Sequence, residues 1–102
     1  MIEIGGKHFD WDRNKNLTNI HKHGISFKEA ATVFQDARSV VFDDLEHSQD
    51  EERFVVIGKS RRLRLLMVCH CYRKSGTIIR VISAREANEI QIYGGGKNGE
   101  AI

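Results

Sequence analysis

Leu63-Arg64-Leu65-Leu66-Met67-Val68-Cys69-His70-Cys71-Tyr72, then Arg73-Lys74-Ser75-Gly76, then Thr77-Ile78-Ile79-Arg80-Val81-Ile82-Ser83 is the stretch on which the fold turns. Two apolar, β-branched runs flank a short connection that contains Gly, which predicts an antiparallel hairpin. Alternate residues of a strand point to opposite faces, so His70 and Tyr72 share a face with Arg64, and Cys69 and Cys71 share the other. Two registers are open. With Arg73 opposite Thr77, His70 lies across from Arg80 on one face; with Lys74 opposite Thr77, His70 faces Val81 and Arg80 turns away. The first is expected here, because it gathers Arg64, His70, Tyr72 and Arg80 on one side.

Upstream, Ser39 to Phe42 and Phe54 to Ile57 read as two more strands. Before them, Asp12 stands as an N-cap ahead of a helix from Asn14 to His23, and Gly24 closes that helix. Ser26 follows with Glu29 three residues on, an arrangement in which each side chain covers an unpaired backbone N–H. Phe27, Ala30, Ala31 and Phe34 then fall at helical spacing and define one buried face. Downstream, Arg85 to Tyr93 reads as a brief helix. The expected fold is therefore α+β: two N-terminal helices packed on a four-stranded, mainly antiparallel sheet, with a short C-terminal helix. Residues 1–93 form a single domain in this reading, and 94–102 a flexible Gly-rich tail.

The chain has 102 residues, the size of one domain. Its longest apolar run, Leu65 to Cys69, is far below the ~18 residues that a bilayer helix needs. Met1 to Gly6 carries neither a basic nor an apolar leader pattern, so a cytoplasmic location without membrane contact is expected. The net charge is only +2, but residues 53–85 hold nine Lys/Arg and no carboxylate, whereas residues 36–52 hold seven Asp/Glu and one Lys/Arg. Seven of the nine cations are Arg, whose planar fork suits phosphate, so the field points to a polyanion such as nucleic acid. Cys69-His70-Cys71 fails as a metal site, since a strand sends the thiols one way and the imidazole the other and only two Cys exist. Gly94-Gly95-Gly96-Lys97-Asn98-Gly99 fails as a nucleotide loop, because it follows a helix instead of a strand. His21 and His23, two apart on a helix, face different directions. No metal or cofactor is expected.

Several short stretches stand together in order: Phe9-Asp10-Trp11-Asp12, Lys22-His23-Gly24-Ile25-Ser26-Phe27 with Glu29-Ala30, His47-Ser48 followed by Glu51-Glu52-Arg53-Phe54, Ile57-Gly58, and Ile82-Ser83-Ala84-Arg85. On these the chain resembles the BrnT family of bacterial type II toxins across residues 9–93. The resemblance implies a RelE-like fold, ribonuclease activity that inhibits translation, and neutralisation by a small BrnA-like antitoxin; the field of nine cations leads us to expect that an acidic or apolar segment of that antitoxin covers the basic sheet face. Operator DNA would be reached only through that antitoxin. It also implies a longer basic helix after Ala84-Arg85, whereas Glu86 to Tyr93 is acidic here.

Metal-independent RNA cleavage needs a base for the 2′-hydroxyl, an acid for the leaving oxygen and cations for the phosphate. His47 and His70 are the acid–base candidates because imidazole titrates near neutrality, and Tyr72 is a possible hydroxyl partner. Arg53, Arg64, Arg80 and Arg85 are the candidate phosphate clamps. Lys59, Arg61, Arg62 and Arg73 are expected to add RNA contacts. In the competing reading, Arg53 and Arg85 pair with nearby carboxylates and only fix the fold, and His70 is a hydrogen-bonded strand histidine. The alternative function is a non-catalytic member that serves only as antitoxin-binding partner and co-repressor.

Overall fold

Gly5 and Gly6 both take left-handed φ values, 59° and 82°. A tight two-residue hairpin requires that pair of conformations, and here it folds β1 (Ile2–Ile4) back onto β2 (Lys7–Trp11). The computed structural model describes residues 1–87. Four further strands follow: β3 (Val40–Asp43), β4 (Phe54–Lys59), β5 (Leu65–Arg73) and β6 (Ile78–Glu86). Together they form one six-stranded sheet in the order β1-β2-β6-β5-β4-β3. β2 runs parallel to β6, with Phe9 beside Ile79 and Trp11 beside Val81, and every other pairing is antiparallel.

This corrects the expected architecture. The sheet is six-stranded and mixed instead of four-stranded and mainly antiparallel, and among the described residues two α-helices accompany it. The physical reason lies in Phe9 and Trp11, which alternate with His8 and Asp10 and reach the core together only from a strand. Phe9 is fully buried there. Arg85 and Glu86 do not begin a helix either. They extend β6, with Arg85 opposite Met67 and Glu86 opposite Leu66. The rest of the expected C-terminal helix and the tail lie outside the described residues.

Local hydrogen bonds explain the two helices. The Asp12 carboxylate accepts from the Lys15 N–H at 3.0 Å and starts α1 (Arg13–His23). Gly24, at φ 71°, ends it by donating its N–H to the Ile20 carbonyl. Ser26 Oγ accepts from the Glu29 N–H and opens α2 (Phe27–Ala31), which tightens into a 3₁₀ turn over Thr32–Gln35. Asn19 is buried and stitches α1 to the sheet. Its amide donates to the carbonyls of Ile25 and Ala84 and accepts from the Ala84 N–H.

Both helices cover one face of the sheet. Ile25, Phe27, Ala30, Ala31 and Val33 pack there against Phe9, Val56, Leu66, Val68, Ile79, Val81 and Ala84. At the edge of this core the buried Glu29 carboxylate accepts from Arg64 through both Nε and Nη2, and from Ser60 Oγ at 2.7 Å. Those donors hold Glu29 below the usual carboxylate range, the Arg64 hydrogen bonds contributing most.

The register of the β5–β6 hairpin is the second correction. Arg73 lies opposite Ile78, Tyr72 opposite Ile79 and His70 opposite Val81, so His70 and Arg80 are on opposite faces. The turn consumes Lys74 and Ser75 at left-handed φ, and Thr77 N–H bonds the Lys74 carbonyl. A register shift between Cys69 and His70 then leaves Ile82 as an extra residue in β6. Such a bulge restores the in-out alternation on both sides of it, so that Val81 and Ala84 both reach the core.

Candidate active site

Among the described residues no helix covers the other face of the sheet, and residues from three central strands form a floor there: Val55 of β4, Met67 and Cys69 of β5, and Ser83 and Arg85 of β6. A single 3₁₀ turn, Leu45–His47, and the loop that leads to β4 raise a wall on one side. Asp44, His47 and Arg53 stand on that wall above a depression of about 340 Å³.

The wall is held by its own backbone. The Asp44 N–H donates to the Arg53 carbonyl at 2.8 Å, Ser48 Oγ donates to the Asp44 carbonyl at 2.7 Å, and the Arg53 N–H donates to Ser48 Oγ at 2.9 Å. Ser48 thus closes the loop and brings His47 and Arg53 to one place. His47 Nδ1 lies 3.1 Å from both carboxylate oxygens of Asp44. Asp44 is mostly covered while the imidazole is well exposed. The carboxylate can only accept, so Nδ1 is the donor of this bond, and in the neutral ring Nε2 is the acceptor, directed away from it.

Two guanidinium groups complete the site. Neither Arg53 nor Arg85 has an ion pair among the described residues; Arg85 Nη2 contacts the Met67 sulfur at 3.5 Å, and Arg53 Nε is buried without a hydrogen-bond partner. Cys69 Sγ lies 3.6 Å from Asp44 Oδ2. Burial and the adjacent Asp44 carboxylate push its thiol up to about 11, so it stays protonated and is a poor nucleophile at neutral pH. The site therefore offers one oriented imidazole, two unneutralised guanidiniums and neutral S–H and O–H groups from Cys69 and Ser83.

Of the residues named from the sequence, His47, Arg53 and Arg85 come together here. The others do not join them. His70 is fully buried on the helix side, with its ring 4.8 Å from Phe34 and 6.0 Å from Phe54. Its Nδ1 bonds the Val68 carbonyl, Nε2 has no partner, and burial pulls it below the usual histidine range. Tyr72 lies on that same side, edge-on to Phe54 and His70. Arg64 is held by Glu29 and the Gly24 carbonyl. Arg80 is on the open face but pairs with Asp10 at 3.4 Å. Arg73 pairs with Glu51. Lys59 shares the open face beyond Met67, and Arg61 and Arg62 line a separate groove beside α2.

Asp44, Cys69 and Ser83 belong to the site without having been named for it. The Asp44-x-x-His47 spacing was the available signal for the first, and Ser83 stands inside Ile82-Ser83-Ala84-Arg85.

No curated protein matches the chain. The crystal structure, at 1.1 Å, of the Brucella abortus ribonuclease toxin BrnT is similar, with a TM-score of 0.61 and 26% identity over 81% of this chain and 99% of that one. The profile of the family described as the ribonuclease toxin BrnT of type II toxin–antitoxin systems matches residues 11–90, a span that holds the whole floor and wall of the site. With most of its length matched, the chain belongs to the BrnT family of ribonuclease toxins of type II toxin–antitoxin systems.

Proposed function

We propose that the chain is an endoribonuclease that cleaves RNA on the open face of its sheet without a metal ion, and that a BrnA-like antitoxin neutralises it. The observation that carries this reading is His47, fixed by Asp44 with Nε2 free, beside two arginines that have no carboxylate partner among the described residues. A phosphodiester bound across Arg53 and Arg85 has its charge matched by two forks. His47 Nε2 takes the proton of the 2′-hydroxyl, the 2′-oxygen attacks phosphorus, and the bond to the 5′-oxygen breaks. The departing 5′-oxygen takes its proton from water at the open mouth. The products are a 2′,3′-cyclic phosphate and a 5′-hydroxyl. Lys59, on the same face, extends the path for the RNA strand, and operator DNA is engaged through the antitoxin.

The test uses the purified chain and an end-labelled single-stranded RNA in EDTA. Fragments ending in cyclic phosphate, and none from the all-deoxy strand, are the expected result. Intact RNA would leave the chain a non-catalytic partner of its antitoxin.

A further inference from the structure

β3 closes one edge of the sheet, and all four of its residues are exposed. Val40 is 51% exposed, Val41 50% and Phe42 38%, and Leu45 just beyond is 83% exposed. These apolar groups lie on both faces, since Val40 and Phe42 align with Ile57 and Val55 while Val41 aligns with Val56. A sheet edge is ordinarily blunted by a Lys, a Pro, a bulge or a very short strand. The opposite edge meets that rule, with three residues and Glu3 at the centre of β1. β3 is one residue longer, and its one charged residue, Asp43, stands at its end, so Val40 to Phe42 presents three consecutive apolar residues with no Lys, Pro or bulge.

The charge around this edge selects what can cover it. Residues 36–52 carry seven carboxylates and one Lys/Arg. Asp43, Glu46, Asp50 and Glu52 form no ion pair among the described residues. A second copy paired edge to edge would bring two such acidic segments together, which is unfavourable. A cationic segment is favoured for the same reason.

We infer that β3 is a docking edge for an extended segment of a partner protein, apolar at alternate positions and carrying Lys or Arg at its ends, which adds as a seventh strand. Main-chain hydrogen bonds supply the affinity and the flanking cations the selectivity. On the toxin reading above, on which this inference rests, that partner is the antitoxin. Val55, beside Phe42 in the register, also lines the depression under His47 and Arg53. A strand seated on β3 therefore reaches the rim of the site from the side, instead of lying across the basic face.

The experiment titrates the full chain, ¹⁵N-labelled, with a capped seven-residue peptide of alternating Val and Thr with Lys at both ends. Amide shifts confined to residues 40–43 and their β4 partners are expected. The same peptide ending in Glu should bind about tenfold more weakly, and alternate N-methylation should abolish binding. Val41→Lys should lose the peptide yet cleave RNA as the unmodified chain does, so failure of docking and failure of the ribonuclease reading are seen separately. Absence of binding, shifts away from β3 or equal binding of the two peptides would overturn the inference. So would self-association that Val41→Lys abolishes, which would assign the edge to a second copy.

Discussion

Burial of His70 among Phe34, Phe54 and Tyr72 disfavours its charged form, whereas the exposed ring of His47 has a carboxylate on one nitrogen and solvent on the other. Each environment makes a different prediction. With its value lowered in the folded chain, His70 stays neutral while the unfolded chain takes up a proton below about pH 6.5. Stability is therefore complete above pH 6.5 and falls as pH drops, by at most ~1.4 kcal/mol per pH unit, until the folded-state value is reached. Urea unfolding should show lower stability at pH 5.5 than at pH 7.5 in the unmodified chain, and His70→Leu should reduce that difference. Glu29 and Asp36, held low by their hydrogen bonds, act only at more acidic pH and leave this window clear. At the other histidine, Asp44→Asn keeps an acceptor of the same shape but no longer fixes the Nδ1 proton. It should lower kcat about tenfold or more with little change in KM. Ring ¹⁵N shifts of His47 should report the Nδ1–H tautomer in the unmodified chain and a mixture in the variant. An unchanged tautomer would remove Asp44 from the positioning role.

At the scale of elements, what was readable from the chain was what local hydrogen bonds decide. Asp12, Gly24 and Ser26 mark helix ends because their side chains or backbone satisfy groups within four residues. The first hairpin was equally local, since Gly5-Gly6 sits between Ile2, Ile4 and Phe9, Trp11, yet a three-residue strand gives too short an alternation to stand out. The parallel pairing of β2 with β6 joins residues about 70 apart, and nothing near either strand encodes it. The bulge at Ile82 was unreadable for the same reason: the core contacts of Val81 and Ala84 place it, not the turn. With the register went the site, because one slip moves His70 from the site to the core. Gly58 shows how such packing appears in sequence only as a small residue. A Cβ there would lie 2.8 Å from Ser39 Cβ and 3.1 Å from Val33 Cγ1. Gly58→Ala should therefore cost about 1–3 kcal/mol in chemical denaturation, and a neutral outcome would show that the 33–39 segment yields freely.

For the whole molecule, the sheet is a partition. One face carries the helices, buries His70 and bears Tyr72 and the Arg64–Glu29 pair; the other, with no helix on it among the described residues, carries His47, Arg53, Cys69, Ser83 and Arg85. The proposed RNA chemistry belongs to the open face alone. Its most direct test is the single-turnover cleavage rate of one labelled RNA by His47→Ala, Arg53→Ala and Arg85→Ala beside His70→Leu, each at equal folded concentration verified by circular dichroism. The three open-face variants should each be slower by on the order of 10²- to 10³-fold, and His70→Leu should match the unmodified chain. Full activity in all three open-face variants, or loss of activity in folded His70→Leu, would contradict it.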